Sequence, residues 1–596
     1  MEMTNEASKN EPEKRAVWSN KWQFLMVCIA NSVGLGNIWR FPFVAYENGG
    51  GAFLIPYVFV LIVIGRPMYY FEMAIGQFCS RSSVKMYNVC PLFRGVGVGQ
   101  IVAATCLCTY YCSLIALTIY YLIASFASEL PWSRCWESWG SDCIDSMQNS
   151  NSTSNRTSGV SSSQKYFLDY VLKEKNDISD GIGTPDWKLV LCLFGAWTVA
   201  YLVIVKGVKS SGKASYFLAL FPYVIITILL VHACTLQGAA KGIIYFIKPQ
   251  WEHLLNPMVW KEAIVQLFFS LGVSFGPIVM YASYNPFDHN IHRDAMIVTS
   301  IDTLTSLIGG FTIFAILGNL AHNLGIEDIG DVVKSGTGLA FISYPDAISK
   351  FDILPQAFSA LFFFMLFVLG IGCLIALQSA VVTVICDQFH WNFWVVALAT
   401  CAAEFLLGLI YTCPGGQWML NLVDHFGGTL IVFPLAIAEV VAIFWVYGLE
   451  NFCWDIEYMS GKPVSFYWRI CWSVVTPVLM IVIFVYSAIS IRPLTYSKLN
   501  YPEEYIAIGW TIFAFGVLQF PIWAVYEVMC RSKTSVWTAL KEVTTPFDWG
   551  PSDLTKRVEW TQFKQDARER RIKQVETSGH SYWREKLFIL LGKYKT

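Results

Sequence analysis

The chain has 596 residues, of which 55% are hydrophobic, 16% aromatic and only 14% charged, against roughly 25% charged in an ordinary soluble domain. A soluble fold of this length needs a more polar surface, whereas a dozen membrane spans of roughly 20 apolar residues use only about 240. The net charge of −1 leaves no basic excess to neutralise phosphates, which removes nucleic acid as a partner.

Apolar runs of span length predict twelve helices, at 20–45, 52–79, 98–127, 189–206, 215–235, 261–283, 296–322, 352–387, 391–410, 418–449, 464–490 and 505–530. The runs are continuous rather than alternating, so they are helices and not barrel strands. The expected organisation is an all-α polytopic membrane protein with a tail at 1–19, a transmembrane domain at 20–530 and a second tail at 531–596.

The first run is no signal peptide, because an acidic, polar stretch precedes it, no small-residue cleavage site follows, and Arg40 and Glu47 lie near its end. Within it, Ala30-Asn31-Ser32-Val33-Gly34-Leu35-Gly36-Asn37 places two glycines and two asparagines at bilayer depth. A helix broken there frees carbonyls for a cation and leaves amides at a half-helix N-terminus for an anion such as a carboxylate. The loop after the second run carries Arg81, Lys85 and Arg94, and the loop after the fourth carries Lys206, Lys209 and Lys213, neither with an acid. The positive-inside rule makes both cytoplasmic. Both termini are then cytoplasmic, consistent with 14 Lys and Arg in the last 66 residues.

The long segment at 128–188 must therefore face outside. There Asn151-Ser152-Thr153 and Asn155-Arg156-Thr157 are glycosylation sequons, and Cys135 and Cys143 can bridge in an oxidising compartment. The sixth run repeats the interruption of the first at Ser270-Leu271-Gly272-Val273-Ser274-Phe275-Gly276-Pro277. Breaks in the first and sixth spans suggest two five-helix halves of inverted topology plus two further helices, an arrangement similar to that of the bacterial leucine transporter. His289 and His292 have metal-like spacing but no evident third ligand, and read as loop residues.

At the breaks the chain resembles the sodium-coupled neurotransmitter and amino acid symporters. The matching strings are Asn31-Ser32-Val33-Gly34-Leu35-Gly36-Asn37-Ile38-Trp39-Arg40-Phe41-Pro42, Glu47-Asn48-Gly49-Gly50-Gly51-Ala52-Phe53, Gln266-Leu267-Phe268-Phe269-Ser270-Leu271-Gly272 and Tyr281-Ala282-Ser283-Tyr284-Asn285. Arg66-Pro67-Met68-Tyr69-Tyr70 and Val333-Lys334-Ser335-Gly336-Thr337-Gly338-Leu339-Ala340-Phe341 are most similar to the insect nutrient amino acid transporter branch. The resemblance runs from about Arg15 to Arg531.

It implies a first sodium site at Ser32, Asn37, Ser270 and Asp302, with Asp302 in place of the usual Asn. An ionised carboxylate there would strengthen cation binding and relax the choice among sodium, potassium and protons; a protonated one would imitate Asn. A second site is implied at the carbonyls of Ala30, Val33 and Leu369, but Gly372 and Cys373 replace the usual oxygen-bearing side chains. That site is weak, completed by water, or lost. A chloride site is implied at Tyr57, Gln266, Ser270 and Ser306.

The implied substrate site comprises Ser32, Gly34, Gly36, Leu107, Tyr111, Phe269, Ser270, Gly272, Phe275, Cys373 and Leu377. Gly34 stands where the monoamine transporters carry an Asp for the substrate amine, so an amino acid bringing its own carboxylate fits better. The apolar side-chain pocket favours a neutral guest. Arg40 and Asp424 resemble an outer gate, and Arg15, Trp18, Tyr284 and Asp387 an inner one. The resulting expectation is a non-enzymatic plasma-membrane symporter that brings neutral amino acids in with sodium, with chloride and potassium as further candidate ions. The alternatives are the same fold serving glycine, proline or γ-aminobutyrate, or a substrate-gated channel. The expected partners are a small amino acid and the lipid bilayer.

Overall fold

In the computed structural model the described residues are 15–140, 143–145, 160–324, 338–351, 354–490, 493–497, 499–531 and 535–578. Asn151, Asn155 and the Val333–Thr337 part of the second branch motif lie outside them. The architecture is almost wholly helical. The main helices are α1 (Lys21–Ser32), α2 (Gly36–Glu47), α3 (Gly51–Cys79), α4 (Pro91–Ala124), α5 (Trp187–Ile204), α6 (Ser210–Thr235), α7 (Ala239–Ile247), α8 (Pro257–Leu271) and α9 (Pro277–Ala282). There follow α10 (Ile291–His322), α11 (Pro355–Phe389), α12 (Phe393–Thr412), α13 (Gly416–Ser460), α14 (Phe466–Ile489), α15 (Glu503–Arg531), α16 (Val536–Val543) and α17 (Leu554–Ser578).

Among the described residues ten helices are long and apolar enough to cross a membrane, or eleven when α1 and α2, bent by 46°, count as one span. The outward sides of α5, α6, α12 and α15 expose Leu191, Phe194, Leu220, Val224, Leu406, Phe515 and Ile522. Such a continuous apolar surface belongs against lipid rather than water. Two ends differ most from the apolar runs of the sequence. Helix α4 starts at Pro91 instead of 98, and α13 continues to Ser460 instead of 449, because a helix can project beyond the apolar slab into a polar layer.

The breaks form where the sequence places them, for local reasons. Asn20 caps α1, its side chain accepting from the Trp22 N–H, and the helix stops where Val33 adopts an extended conformation (φ −90°, ψ 95°). Asn256 caps α8, with Pro257 at its first position. Gly272, at φ +66°, ends that helix and Gly276, at φ +98°, precedes α9. Both lie in the left-handed region that glycine enters without a Cβ clash.

Helices α4 and α11 pack along each other at the centre, with α1 against α6 and α11 and α9 against α3. In the loop before α5, Cys135 and Cys143 are bridged. The segment after Arg531, set apart in the sequence as a tail, folds back over 536–578. Phe547 N–H donates to Asn88 O (2.8 Å), and Arg81 pairs with Asp548 (2.6 Å). Lys564 Nζ reaches Asp455 Oδ1 (3.0 Å) and the Tyr447 hydroxyl (2.7 Å). Burial pushes the Asp548 carboxyl up, but the hydrogen bonds and charges of Arg557 and Arg81 outweigh this and hold it below the usual carboxylate range.

Candidate functional site

The two breaks meet one another. The Asn37 side chain, one residue into α2, donates through Nδ2 to Asp302 Oδ1 (2.7 Å), Ser306 Oγ (2.9 Å) and Ser270 Oγ (3.0 Å). Ser270 Oγ in turn donates to Asp302 Oδ1 (2.8 Å). Asp302 and Ser306 lie four residues apart on α10 and so share one helix face, while Ser270 is the penultimate residue of α8. Asn37 Oδ1 accepts from the Gly34 N–H (2.9 Å), which ties the break to the cluster. The amide thus turns its nitrogen toward Asp302 and its oxygen toward the Gly34 N–H, which leaves one oxygen lone pair free.

All of this is sealed: Asp302 and Ser306 have no exposed surface, and Ser32 and Asn37 are 1% exposed. Buried polar atoms nevertheless converge here without a hydrogen-bond partner among the described residues, namely Asp302 Oδ2, Ser32 Oγ, Gln266 Oε1, the Tyr57 hydroxyl and Asn31 Nδ2. Buried polar groups are seldom left unsatisfied. A cluster of oxygens around one carboxylate suits a hard cation. The Tyr57 hydroxyl faces the Ser270, Ser306 and Thr303 side chains, and Gln266 Nε2 donates to Gly36 O (3.4 Å). The residues expected around chloride therefore adjoin the residues expected around the first cation.

Residues expected around the substrate gather beside the first break. The Leu35 N–H donates to the Tyr111 hydroxyl (3.2 Å), at the N-terminal end of α2, where free amides and the helix dipole favour an anion. A Cβ on Gly34 would stand 2.4 Å from Cys373 Sγ and 3.0 Å from the Tyr111 hydroxyl, so only glycine leaves room there. Gly36 has open space in front of it. The Phe269 and Phe275 rings are 5.8 Å apart, and Leu107 and Leu377 are buried on the paired helices α4 and α11.

At the expected second cation site, the Cys373 thiol lies 3.1 Å from Asn31 O and 3.7 Å from Ala30 O, as a donor to them. A Cβ on Gly372 would come 2.8 Å from Ala30 O. Val33 and Leu369 are buried beside these groups. A neutral thiol donating to the carbonyls competes with a cation for them.

The two expected gates are in different conditions. Arg15 pairs with Asp387 (2.9 Å) and lies over the Tyr284 ring (4.5 Å), while the Trp18 indole donates to Tyr281 O (3.0 Å). The second pair is not formed. The Arg40 guanidinium rests on the Phe269 ring (4.2 Å) and Asp424 accepts from the Tyr110 hydroxyl (2.5 Å). The sequence reading assigned Tyr110 no role. It also passed over Glu72, Gln100, Glu404 and Glu439, all buried. For the three glutamates the available signal was a lone acid inside an apolar run, which is expensive in a membrane and marks a functional group by default.

A model of the sodium:neurotransmitter symporter family matches residues 15–531. The chain belongs to this family. It is 58% identical over 99% of its length to sodium-dependent nutrient amino acid transporter 1 of Drosophila mojavensis, covering 94% of that protein. It is 56% identical over 98% of its length to the protein of the same name from Drosophila melanogaster, covering 96%. A family of membrane symporters, not of enzymes, is therefore the setting for the chemistry above.

Proposed function

We propose that this protein is a secondary active symporter that moves neutral amino acids into the cell with sodium. The relatives' names supply the solute class and the ion. The observation that carries the neutral preference is the surrounding of Gly34. Among the described residues the atoms nearest a Cβ at Gly34 belong to Cys373 and Tyr111, not to an acid that could meet a substrate amine, and the Tyr111 hydroxyl, which accepts the Leu35 N–H, can turn its own proton to a carboxylate. A competition panel of the twenty amino acids against labelled uptake tests this. Leucine, methionine and phenylalanine should compete, and preference for dopamine or γ-aminobutyrate over these would overturn it.

In this reading α1 with α2 forms the first of twelve spans and α8 with α9 the sixth, the spans forming two inverted five-helix repeats plus two further helices. The termini are cytoplasmic in the plasma membrane. The formed Arg15–Asp387 contact and the separated Arg40 and Asp424 then describe an outward-facing member of an alternating-access cycle. Ser32, Asn37, Ser270 and Asp302 bind the driving cation; Tyr57, Gln266, Ser270 and Ser306 bind chloride.

Asp302 sets the choice of cation, because it is the acid in the Asn37 and Ser270 cluster. Asp302→Asn removes that charge at nearly constant volume, so sodium affinity should fall and potassium-driven uptake should fall further. Uptake against sodium and potassium in both proteins checks this, and superimposable profiles would contradict it. A second expectation concerns the loop that holds the Cys135–Cys143 bridge. It should carry glycan on Asn151 or Asn155, seen as a mobility shift that glycosidase removes and that the double Asn→Gln variant lacks.

A further inference from the structure

A second buried polar cluster, made of none of the residues expected at the cation and substrate sites, sits on the break between α8 and α9. Ser274, at the centre of that link and at φ +64°, is held by two acids from different helices. Its N–H donates to Glu72 Oε1 of α3 (2.7 Å), and its hydroxyl donates to Glu439 Oε2 of α13 (3.1 Å). Gln100 Nε2 of α4 donates to the same Glu439 oxygen (2.7 Å). Glu72 and Glu439 have no exposed surface, and Ser274 and Gln100 are 1% exposed. Among the described residues the other titratable group facing the two acids is the Tyr87 phenol, from the turn before α4.

Two features make this more than a pair of acids. Among the described residues neither carboxyl has a lysine, arginine or histidine partner; the groups that act on them are each other, Ser274, Gln100 and Tyr87. The second oxygen of each, Glu72 Oε2 and Glu439 Oε1, is buried without a hydrogen-bond partner, as are the Tyr87 hydroxyl and Ser83 Oγ nearby. Gly276 is the link to the last of these, since a Cβ there would stand 3.0 Å from Ser83 Oγ. Two fully buried carboxylates converging on one serine, with no cationic side chain among the described residues to offset them, repel each other, which is the condition under which a pair keeps one proton between them.

We infer that Glu72 and Glu439 form a proton-binding site that holds one shared proton while the α8–α9 link has the conformation seen here. The link carries Gly272 at one end and is followed by α9, whose Tyr281, and Tyr284 just beyond its end, contact Trp18 and Arg15. A movement of the link that opens the Arg15 end withdraws Ser274 from one or both acids and lets water reach them. The proton is then released to water, and it is taken up again when the link returns. This coupling rests on the symporter reading; the presence of the proton does not.

Infrared difference spectra of the purified protein in lipid, wild type minus Glu72→Gln and wild type minus Glu439→Gln, test the site without any transport. Each should contain the loss of one protonated carboxyl band, because removing either acid lets the other ionise. A difference spectrum lacking that band in either variant overturns the shared proton. Uptake then tests the coupling. Once pH rises past the titration of the band, wild-type uptake should fall about tenfold per pH unit, while the Glu439→Gln variant, neutral at that position, should stay within twofold across the same range. A band that titrates while wild-type uptake stays level overturns the coupling. Complete absence of uptake at every pH instead strikes the symporter reading and leaves the infrared result standing.

Discussion

Asn37→Ala should reduce sodium-driven uptake by about a hundredfold or more at normal surface abundance. The Asn37 amide nitrogen serves Asp302, Ser270 and Ser306 at 2.7–3.0 Å, and its oxygen receives the Gly34 N–H. Deleting it strips a donor from a buried carboxylate and releases the peptide that shapes the first break. A buried group left without its partner costs about 1–3 kcal/mol, and more when charged, so two such losses reach the hundredfold range. Surface biotinylation separates this from misfolding. Asn37→Ser, whose hydroxyl can still donate, should lose less than alanine, and Asn37→Asp, which sets a second carboxyl against Asp302, should lose at least as much.

Gly242→Ala should act on folding rather than on transport chemistry. An alanine Cβ at that position in α7 would sit 1.7 Å from Phe314 O and 3.0 Å from the Gly318 Cα of α10. Neither is the end of a flexible side chain, so the two backbones must separate by more than an ångström. Packing built on small residues is what holds helices together in lipid, where apolar burial alone gives no preference. Overpacking of this kind costs about 1–3 kcal/mol in ordinary cores, and backbone against backbone leaves less room to relax. The expected result is a marked loss of mature protein at the surface and a lower Tm in detergent, whereas Ala240→Gly in the same helix should have a small effect.

The sequence exposed what depends on neighbours along the chain. Apolar runs located the spans, and Gly34, Gly36, Gly272 and Gly276 located the breaks, since these are decided by composition and backbone freedom over a few residues. The Cys135–Cys143 bridge was legible for the same reason, its ends being 8 residues apart. Side-chain partners hundreds of residues away were not. Arg40 settles on Phe269 and Asp424 on Tyr110, and Glu72 meets Glu439 through Ser274, contacts that no local pattern encodes. The packing of 536–578 was hidden as well, because Asp455 and Tyr447, the partners of Lys564, lie 109 and 117 residues earlier in the chain.

The most direct test of the account places purified protein in sealed vesicles and follows labelled leucine under an inward sodium gradient. The account predicts accumulation above the outside concentration, collapse when a sodium ionophore dissipates the gradient, and loss of accumulation in Asn37→Ala. Equilibration of leucine to equal concentrations on both sides, unchanged by the ionophore, would contradict it.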